Sequence, residues 1–334
     1  MIAPPPLLPL ADPALEVRGV SLAVLRTDLI HPVISGNKWY KLKYNLAEAR
    51  RRGHDTLLSF GGAYSNHIHA LAGAGAEYSL KTIGVIRGEE HLPLNPTLSF
   101  ARDQGMRLTY LDRASYRRKH TPEILARLIE EFGDFYLIPE GGSNALAVQG
   151  CMEMVEAIDR PFDVIACACG TGATLAGLIA GLGGARQALG IAVLRGAGFL
   201  QREVEGFLAS TGHGGLTNWS INLDYHFGGY ARHTPALIEF ITRFEAAHGI
   251  ALEQVYTGKL LYGLYDLITR GHFAPGTRIV AVHSGGVQGR AIPIHPGAFH
   301  APQPTNADIP TGGGNGALNA PYKTPAHHRM LILQ

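Results

Sequence analysis

The sequence predicts an α/β protein with mostly parallel sheets, arranged as two lobes around a cleft. Short apolar runs rich in β-branched residues alternate with stretches of helical period, the pattern of parallel strands covered by helices. Several of these runs end directly in Gly-Gly or Gly-x-Gly before a helix, and open α/β sheets bind ligands at the carboxyl ends of their strands. The chain also has 334 residues, more than one compact core usually takes.

In order, strands are expected in "VSLAVLRT", "DTLLSFGG", "TIGVIRG", "RLTYLD", "DFYLIPEGG", "FDVIACACG", "IAVLRGAG" and "TRIVAVHSGG". Helices are expected in "WYKLKYNLAEARRRG", "HIHALAGAGAEY", "TPEILARLIEEFG", "NALAVQGCMEMVEAI", "TLAGLIAGLG" and "PALIEFITRFEAAHG". The grouping predicts a smaller αβ lobe at 51–145, inserted into a larger lobe made of 1–50 and 146–298. Residues 299–334 are rich in Pro, Gly, Asn and His without an apolar period, the composition of a loosely ordered tail. Its histidines are too scattered to favour a metal site.

Charge is nearly balanced, with a formal net of +2, which argues against nucleic acid or an anionic membrane as the main partner. Three cysteines make no disulfide framework. Cys167 and Cys169 end an apolar run and are expected as buried thiols on opposite faces of a strand. The first residues lack a basic n-region and are broken by prolines, unlike a secretion signal. No window reaches the length of a membrane span, so a reducing cytoplasm is the expected compartment.

Four glycine-terminated stretches and one lysine cluster could carry chemistry. In "CGTGATLAG" (169–177) a strand, a Gly-Thr-Gly turn and a small-residue helix start would present unpaired N–H groups to one phosphate. No Gly-Lys-Ser/Thr follows, which disfavours a nucleoside triphosphate; a turn whose glycines serve packing is the alternative. In "SFGGAYSNHIHALA" (59–72), Ser65 and Asn66 stand at a helix start. They are either plain caps or a site for a substrate carboxylate, favoured by the helix dipole. His67 and His69 point to different sides of that helix and would not both be ligands. "EQVYTGKLLYGL" (253–264) sets Tyr256 and Thr257 before Gly258 and a helix, with a core tyrosine as the alternative. "VAVHSGGVQG" (280–289) adds another strand ending in Gly-Gly.

The cluster lies in "ISGNKWYKLKYNL" (34–46). Three of only seven lysines, Lys38, Lys41 and Lys43, fall within six positions. A phosphate cradle, a carboxylate cradle and a lysine in a Gly-Asn turn together point to pyridoxal 5′-phosphate. Its aldehyde requires a lysine and its phosphate an anion site.

These stretches also carry a resemblance. "DLIHPVISGNK", "SFGGAYSNH", "IPEGGSNALAVQG", "CGTGATLAG", "VYTGK" and "HSGGV", over about residues 20–290, resemble the 1-aminocyclopropane-1-carboxylate (ACC) deaminase/D-cysteine desulfhydrase family. These are tryptophan synthase β-like enzymes of fold type II. The resemblance implies two open three-layer αβα lobes with the active site between them, bound pyridoxal 5′-phosphate, a small amino acid substrate and a homodimer. It implies that Lys38 is the Schiff-base lysine and moves the α-proton, and that Lys41 lies near the cofactor phosphate. Ser65 corresponds to a residue at the substrate carboxylate, also implicated in proton transfer. Asn66 would bond the cofactor's 3-hydroxyl, and Asn66 and His67 would border the substrate. Gly170, Thr171, Gly172, Ala173 and Thr174 match the phosphate loop. Tyr256 would face the substrate and Thr257 the pyridine nitrogen. Lys43 is left as a solvated surface charge.

ACC deaminases resemble one another in having Glu after this tyrosine, whereas D-cysteine desulfhydrase-like members have Thr, as here. A carboxylate keeps the ring nitrogen protonated, and a hydroxyl cannot. The resemblance therefore implies β-elimination of a good leaving group, as from D-cysteine. ACC deamination is the alternative, and a cofactor-binding protein without turnover is the alternative of another class. Two departures stand out. Tyr40 replaces the family's usual Arg, which would make it a candidate for substrate choice, and Thr27 replaces a common Asp.

Overall fold

The computed structural model of the chain describes residues 3–290. The remaining C-terminal segment, which includes the compositional tail at 299–334, lies outside the described residues. Among the described residues there are ten strands: β1 (Leu7–Pro9), β2 (Ser21–Leu25), β3 (Thr56–Gly61), β4 (Lys81–Arg87), β5 (Arg107–Leu111), β6 (Tyr136–Ile138), β7 (Val164–Cys169), β8 (Gln187–Ala192), β9 (Trp219–Asn222) and β10 (Arg278–Val282). The α-helices are α1 (Pro13–Glu16), α2 (Asn37–Arg51), α3 (Asn66–Tyr78), α4 (Pro96–Asp103), α5 (Arg113–Arg117), α6 (Pro122–Phe132), α7 (Ala145–Glu156), α8 (Ala173–Leu182), α9 (Phe199–Ser210), α10 (Pro235–His248) and α11 (Thr257–Thr269).

The strands form two sheets. One has six strands in the order β1-β2-β10-β7-β8-β9, and the other four in the order β5-β4-β3-β6. Only the β1–β2 pair is antiparallel; the others run parallel, with β10 central between β2 (Ile279↔Leu22) and β7 (Ile279↔Val164). Every residue of β3 and of β7 is buried, as continuous apolar strands covered on both faces must be. The helices start where their sequences provide caps. Ser65 accepts from the Ile68 amide at 3.3 Å, and Asn144 accepts from Ala147 at 2.9 Å. Thr234 and Pro235 open α10, and Gly249 closes it at φ +64°, where a side chain would be strained.

One apolar cluster gathers Leu42 and Leu46 of α2, Leu71 of α3, Val148 of α7 and Leu178 of α8, and so joins the two sheets. A second lies against the six-stranded sheet around Val24, Ile191, Phe240 and Leu264. A third lies against the four-stranded sheet around Leu58, Phe60 and Val85.

Three expectations are corrected. The strand placed at "IAVLRGAG" lies earlier, at β8, because β8 pairs with β7 from Gln187 to Ala192. Its small residues hide the β signature for a packing reason, since a Cβ on Gly190 would come within 2.7 Å of Leu175 and 2.8 Å of the Cys169 sulfur. Cys167 and Cys169 share one face of β7, their Sγ atoms 3.9 Å apart, because side chains along a strand repeat every two residues. Finally β1, β9, α1, α4, α5 and α9 have no counterpart among the expected elements.

Candidate active site

Lys38 owes its place to the turn before α2. Gly36 sits at φ +66° and ψ −146°, and a Cβ there would lie 2.0 Å from the Ser284 carbonyl oxygen. Only glycine lets this turn touch the exit of β10. The Gly36 amide donates to the Thr27 carbonyl at 3.0 Å, and the Thr27 hydroxyl donates to the His283 carbonyl at 2.6 Å. Thr27 thus lies beneath the turn, fully buried, where it ties β2 to the "HSGG" segment.

The Lys38 Nζ donates to Asn37 Oδ1 at 2.8 Å, and Asn37 Nδ2 donates to Thr174 Oγ1 at 2.9 Å. Burial pulls the Lys38 amine down to about 7, with the nearby Lys41 charge adding to the effect. Charging an amine out of water is costly, and a neighbouring cation makes it costlier.

One turn on, the Lys41 Nζ donates to Gly141 O at 3.0 Å and Ser143 Oγ at 2.9 Å, and reaches Thr171 Oγ1 at 3.4 Å. Ser143 and Thr171 hydroxyls lie 2.6 Å apart. Behind them the chain leaves β7 through Gly170 and enters α8 at Gly172, whose φ of +85° turns the backbone and leaves the helix start without a side-chain cap. The leading amides of α8 have no intrahelical acceptors. This end of the site holds one ammonium, several hydroxyls and uncapped helix amides, a donor set for a phosphate.

Across the cavity, Ser65 caps α3 and Asn66 Oδ1 accepts from Gln288 Nε2 at 3.1 Å. A Cβ on Gly286 would lie 2.4 Å from Asn66 Nδ2, so the second glycine of "HSGG" is required for that approach. His67 is buried. Its Nε2 lies 2.8 Å from the Ser59 hydroxyl, whose proton goes to the Ile138 carbonyl at 2.8 Å. His67 must therefore donate through Nε2, which leaves Nδ1 unprotonated; it has no partner within the protein. Burial, with the charges of Lys38 and Lys41, holds the ring well below its ordinary range. His69 turns away and stacks on Phe100 at 3.9 Å between centroids, so the two histidines separate as expected.

The remaining wall comes from the start of α11. The Tyr256 ring lines the cavity and meets Tyr230 edge-on, centroids 6.1 Å apart at 71°. Thr257 is buried behind it; its hydroxyl accepts from the Glu253 amide at 2.9 Å and lies 3.2 Å from Glu253 Oε1. The buried Glu253 carboxylate accepts the amides of Val255, Tyr256 and Thr257 at 2.6, 2.7 and 2.6 Å. Its burial pushes the carboxyl up, against the opposing pull of those amides.

The cavity so formed measures about 460 Å³ and is lined from both sheets, by Lys38, Ser65, Asn66, Pro139, Thr171 and Tyr256 among others. Two sequence expectations fail here. Lys43 is buried and its ammonium pairs with Glu153, which also accepts from the Tyr44 hydroxyl at 2.6 Å. Tyr40 is a core residue outside the cavity lining. Its carbonyl oxygen would lie 1.9 Å from a Cβ on Gly150, where α2 crosses α7. Asn37, Ser143, Tyr230, Glu253 and Lys259 belong to or support the site, yet sequence reading does not single them out. Asn37, Ser143, Glu253 and Lys259 all stand inside quoted stretches without a role being read for them, and Tyr230 alone lies outside every such stretch.

Comparison with known proteins defines the class. Residues 1–285 match the family described as pyridoxal-phosphate dependent enzyme. A Pyrococcus furiosus protein provisionally named 1-aminocyclopropane-1-carboxylate deaminase is 33% identical, over 81% of this chain and 86% of its own length. A bifunctional D-cysteine desulfhydrase/1-aminocyclopropane-1-carboxylate deaminase of Arabidopsis thaliana mitochondria is 31% identical, over 81% of this chain and 73% of its own. A crystal structure of an ACC deaminase homologue superposes with a TM-score of 0.75 at 29% identity, covering 86% of this chain and 90% of that one. This chain belongs to the pyridoxal-phosphate dependent enzymes, within them to the ACC deaminase/D-cysteine desulfhydrase group, and has their type II fold. Its cofactor is pyridoxal 5′-phosphate, and the residues present fit that group. A depressed lysine amine stands in the cavity, an ammonium with two hydroxyls and uncapped helix amides lies around Lys41, and His67 offers an orphaned acceptor.

Proposed function

We propose that this enzyme catalyses α,β-elimination from a small amino acid. D-cysteine and water would yield pyruvate, hydrogen sulfide and ammonia. The observation that carries the proposal is the Lys38 amine, held at 2.8 Å from Asn37 with a phosphate cradle on one side and the start of α3 on the other. Lys38 would attach the cofactor, and its amine is the group placed to take the substrate's α-proton. Lys41, Ser143, Thr171 and the amides of 170–174 hold the phosphate. Ser65 and the first amides of α3 take the substrate carboxylate, Asn66 meets the cofactor's ring hydroxyl, and His67 backs that edge as a neutral ring. Tyr256 faces the substrate, and Thr257 backs the wall at the ring-nitrogen side. Bound pyridoxal 5′-phosphate supplies the electron sink that makes the α-proton acidic.

Elimination is favoured over ring opening because Thr257 brings no charge of its own to that wall. Glu253 stands behind Thr257, its Oε1 3.2 Å from the Thr257 hydroxyl, and its carboxylate is already used by three amides. The test is a screen of D-cysteine, L-cysteine and ACC for 2-oxo acid and ammonia, with Lys38→Ala as control. We expect D-cysteine turnover, none from ACC, and loss of both colour and activity in Lys38→Ala. Turnover of ACC alone would reverse the choice, and wild-type colour in Lys38→Ala would remove the lysine assignment. The proposal also keeps the lobe boundaries near residues 50 and 145, a homodimer and a cytoplasmic setting, of which light scattering tests the dimer.

A further inference from the structure

We infer that Lys259 is a positioning residue that fixes the substrate wall of the cavity by pinning the 226–231 loop, an inference that rests on the reading of the cavity as an amino acid site. Lys259 lies on α11, three residues after Tyr256, and is fully buried. Its ammonium uses its donors on backbone carbonyls alone: Gly229 at 2.8 Å, His226 at 2.9 Å and Val193 at 3.3 Å. No carboxylate lies within ion-pair distance of it among the described residues. Buried charges are normally paired, so an ammonium spent on three carbonyls calls for a reason.

The reason lies in what those carbonyls belong to. Phe227, Gly228, Gly229 and Ala231 all have positive φ, at +52°, +93°, +125° and +55°. For Phe and Ala that conformation is held only by surrounding structure. Between them stands Tyr230, which lines the cavity and packs edge-on against Tyr256. Val193 precedes Leu194, another lining residue. One buried ammonium thus ties two walls of the cavity to the helix that Tyr256 opens. Without it, the buried carbonyls of Val193 and Gly229 and the part-buried one of His226 lose a donor, and the strained loop loses its tie to α11.

The test uses the full-length, cofactor-loaded enzyme. Lys259→Met keeps the side-chain length and removes the donors. Trypsin cleavage after the exposed Arg232 is expected to accelerate about fivefold or more as the loop opens locally, with the absorbance of bound cofactor kept. KM for the amino acid is expected to rise about fivefold with little change in kcat, the signature of lost binding rather than lost chemistry. Tyr230→Ala should reproduce the KM rise, and the double variant should be no worse than either single change. Unaltered cleavage overturns the inference, as does faster cleavage with unaltered KM, or a fall in kcat alone. If Lys259→Met does not fold, Tyr230→Ala decides: an unchanged KM overturns the inference. If the wild-type enzyme turns over none of the screened amino acids, their binding is read instead from the shift of the cofactor band. A failure of the proposed reaction is then distinct from a failure of the loop.

Discussion

Lys38 shows how one side chain is made reactive by where the backbone puts it. An exposed lysine is almost wholly charged at neutral pH, and an ammonium has no lone pair to offer an aldehyde. Enclosure lowers this amine to about 7, with Lys41 one helical turn away adding to the shift. The sign is therefore clear. Below that pH the amine is protonated and inert, and above it the free base predominates. Apoprotein should capture added pyridoxal 5′-phosphate at a rate that rises through pH 7 and levels off soon above it, read from the growth of the bound cofactor's yellow band. A rate still climbing towards pH 10 would show an ordinary lysine. Lys41→Met should move the midpoint upward, because its charge is the second contribution to the shift, and should weaken phosphate binding as well. Thr257→Glu tests the same wall from the other side. It should raise ACC turnover relative to D-cysteine turnover, and an unchanged ratio would remove the electronic argument for elimination.

The helices α2, α7 and α8 place these residues, and glycines set how closely they pack. A Cβ on Gly150 would lie 1.9 Å from the Tyr40 carbonyl oxygen, and one on Gly177 would lie 2.3 Å from the Cys151 Cβ. Overfilling such a contact costs about 1–3 kcal/mol and shifts backbone. Gly150→Ala should therefore lower the thermal midpoint and weaken cofactor binding together, since α2 carries both Lys38 and Lys41. Gly206→Ala in α9 is the control; a Cβ there meets nothing within 4 Å, so it should be neutral or stabilise by about 0.5–1 kcal/mol. Calorimetry of both variants checks the pair. An equal loss in both would show that helix contact is not the cause. This level of structure also marks what the sequence could reveal. Strands running into glycines were legible because turn chemistry is local, and the stretches so marked, with Lys38 and the loop at 170–174 among them, do meet at one cavity. Lys43 read as a surface charge because its partner Glu153 is 110 residues away. Glu253 and Lys259 stood inside a quoted stretch, but their roles were not legible because their partners are mostly backbone groups, which carry no residue identity. Tyr40 drew attention by departing from a family pattern, while its surroundings are simply the α2–α7 crossing.

The cavity belongs to neither sheet alone. Gly62, Ser65, Asn66 and Pro139 follow strands of the four-stranded sheet, while Cys169, Thr171 and Ser284 end or follow strands of the six-stranded one. The shared apolar cluster holds the two sheets together through α2, α3, α7 and α8. A ligand bridging both walls should therefore stabilise the whole molecule against unfolding. A ligand that binds only the folded form at 100 times its Kd adds about 2.7 kcal/mol. The thermal midpoint of the apoprotein should climb steadily with added pyridoxal 5′-phosphate, and the unfolding transition should stay single. The covalent link can be separated from the grip on the phosphate. Lys38→Ala should still be stabilised in a dose-dependent way, because Lys41, Ser143 and Thr171 remain. In Lys41→Met the rise should be smaller at every concentration. A midpoint in Lys38→Ala that ignored the cofactor would mean that the cradle at 170–174 does not hold the phosphate. Two separate transitions would mean that the sheets unfold independently and that the shared cluster does not couple them.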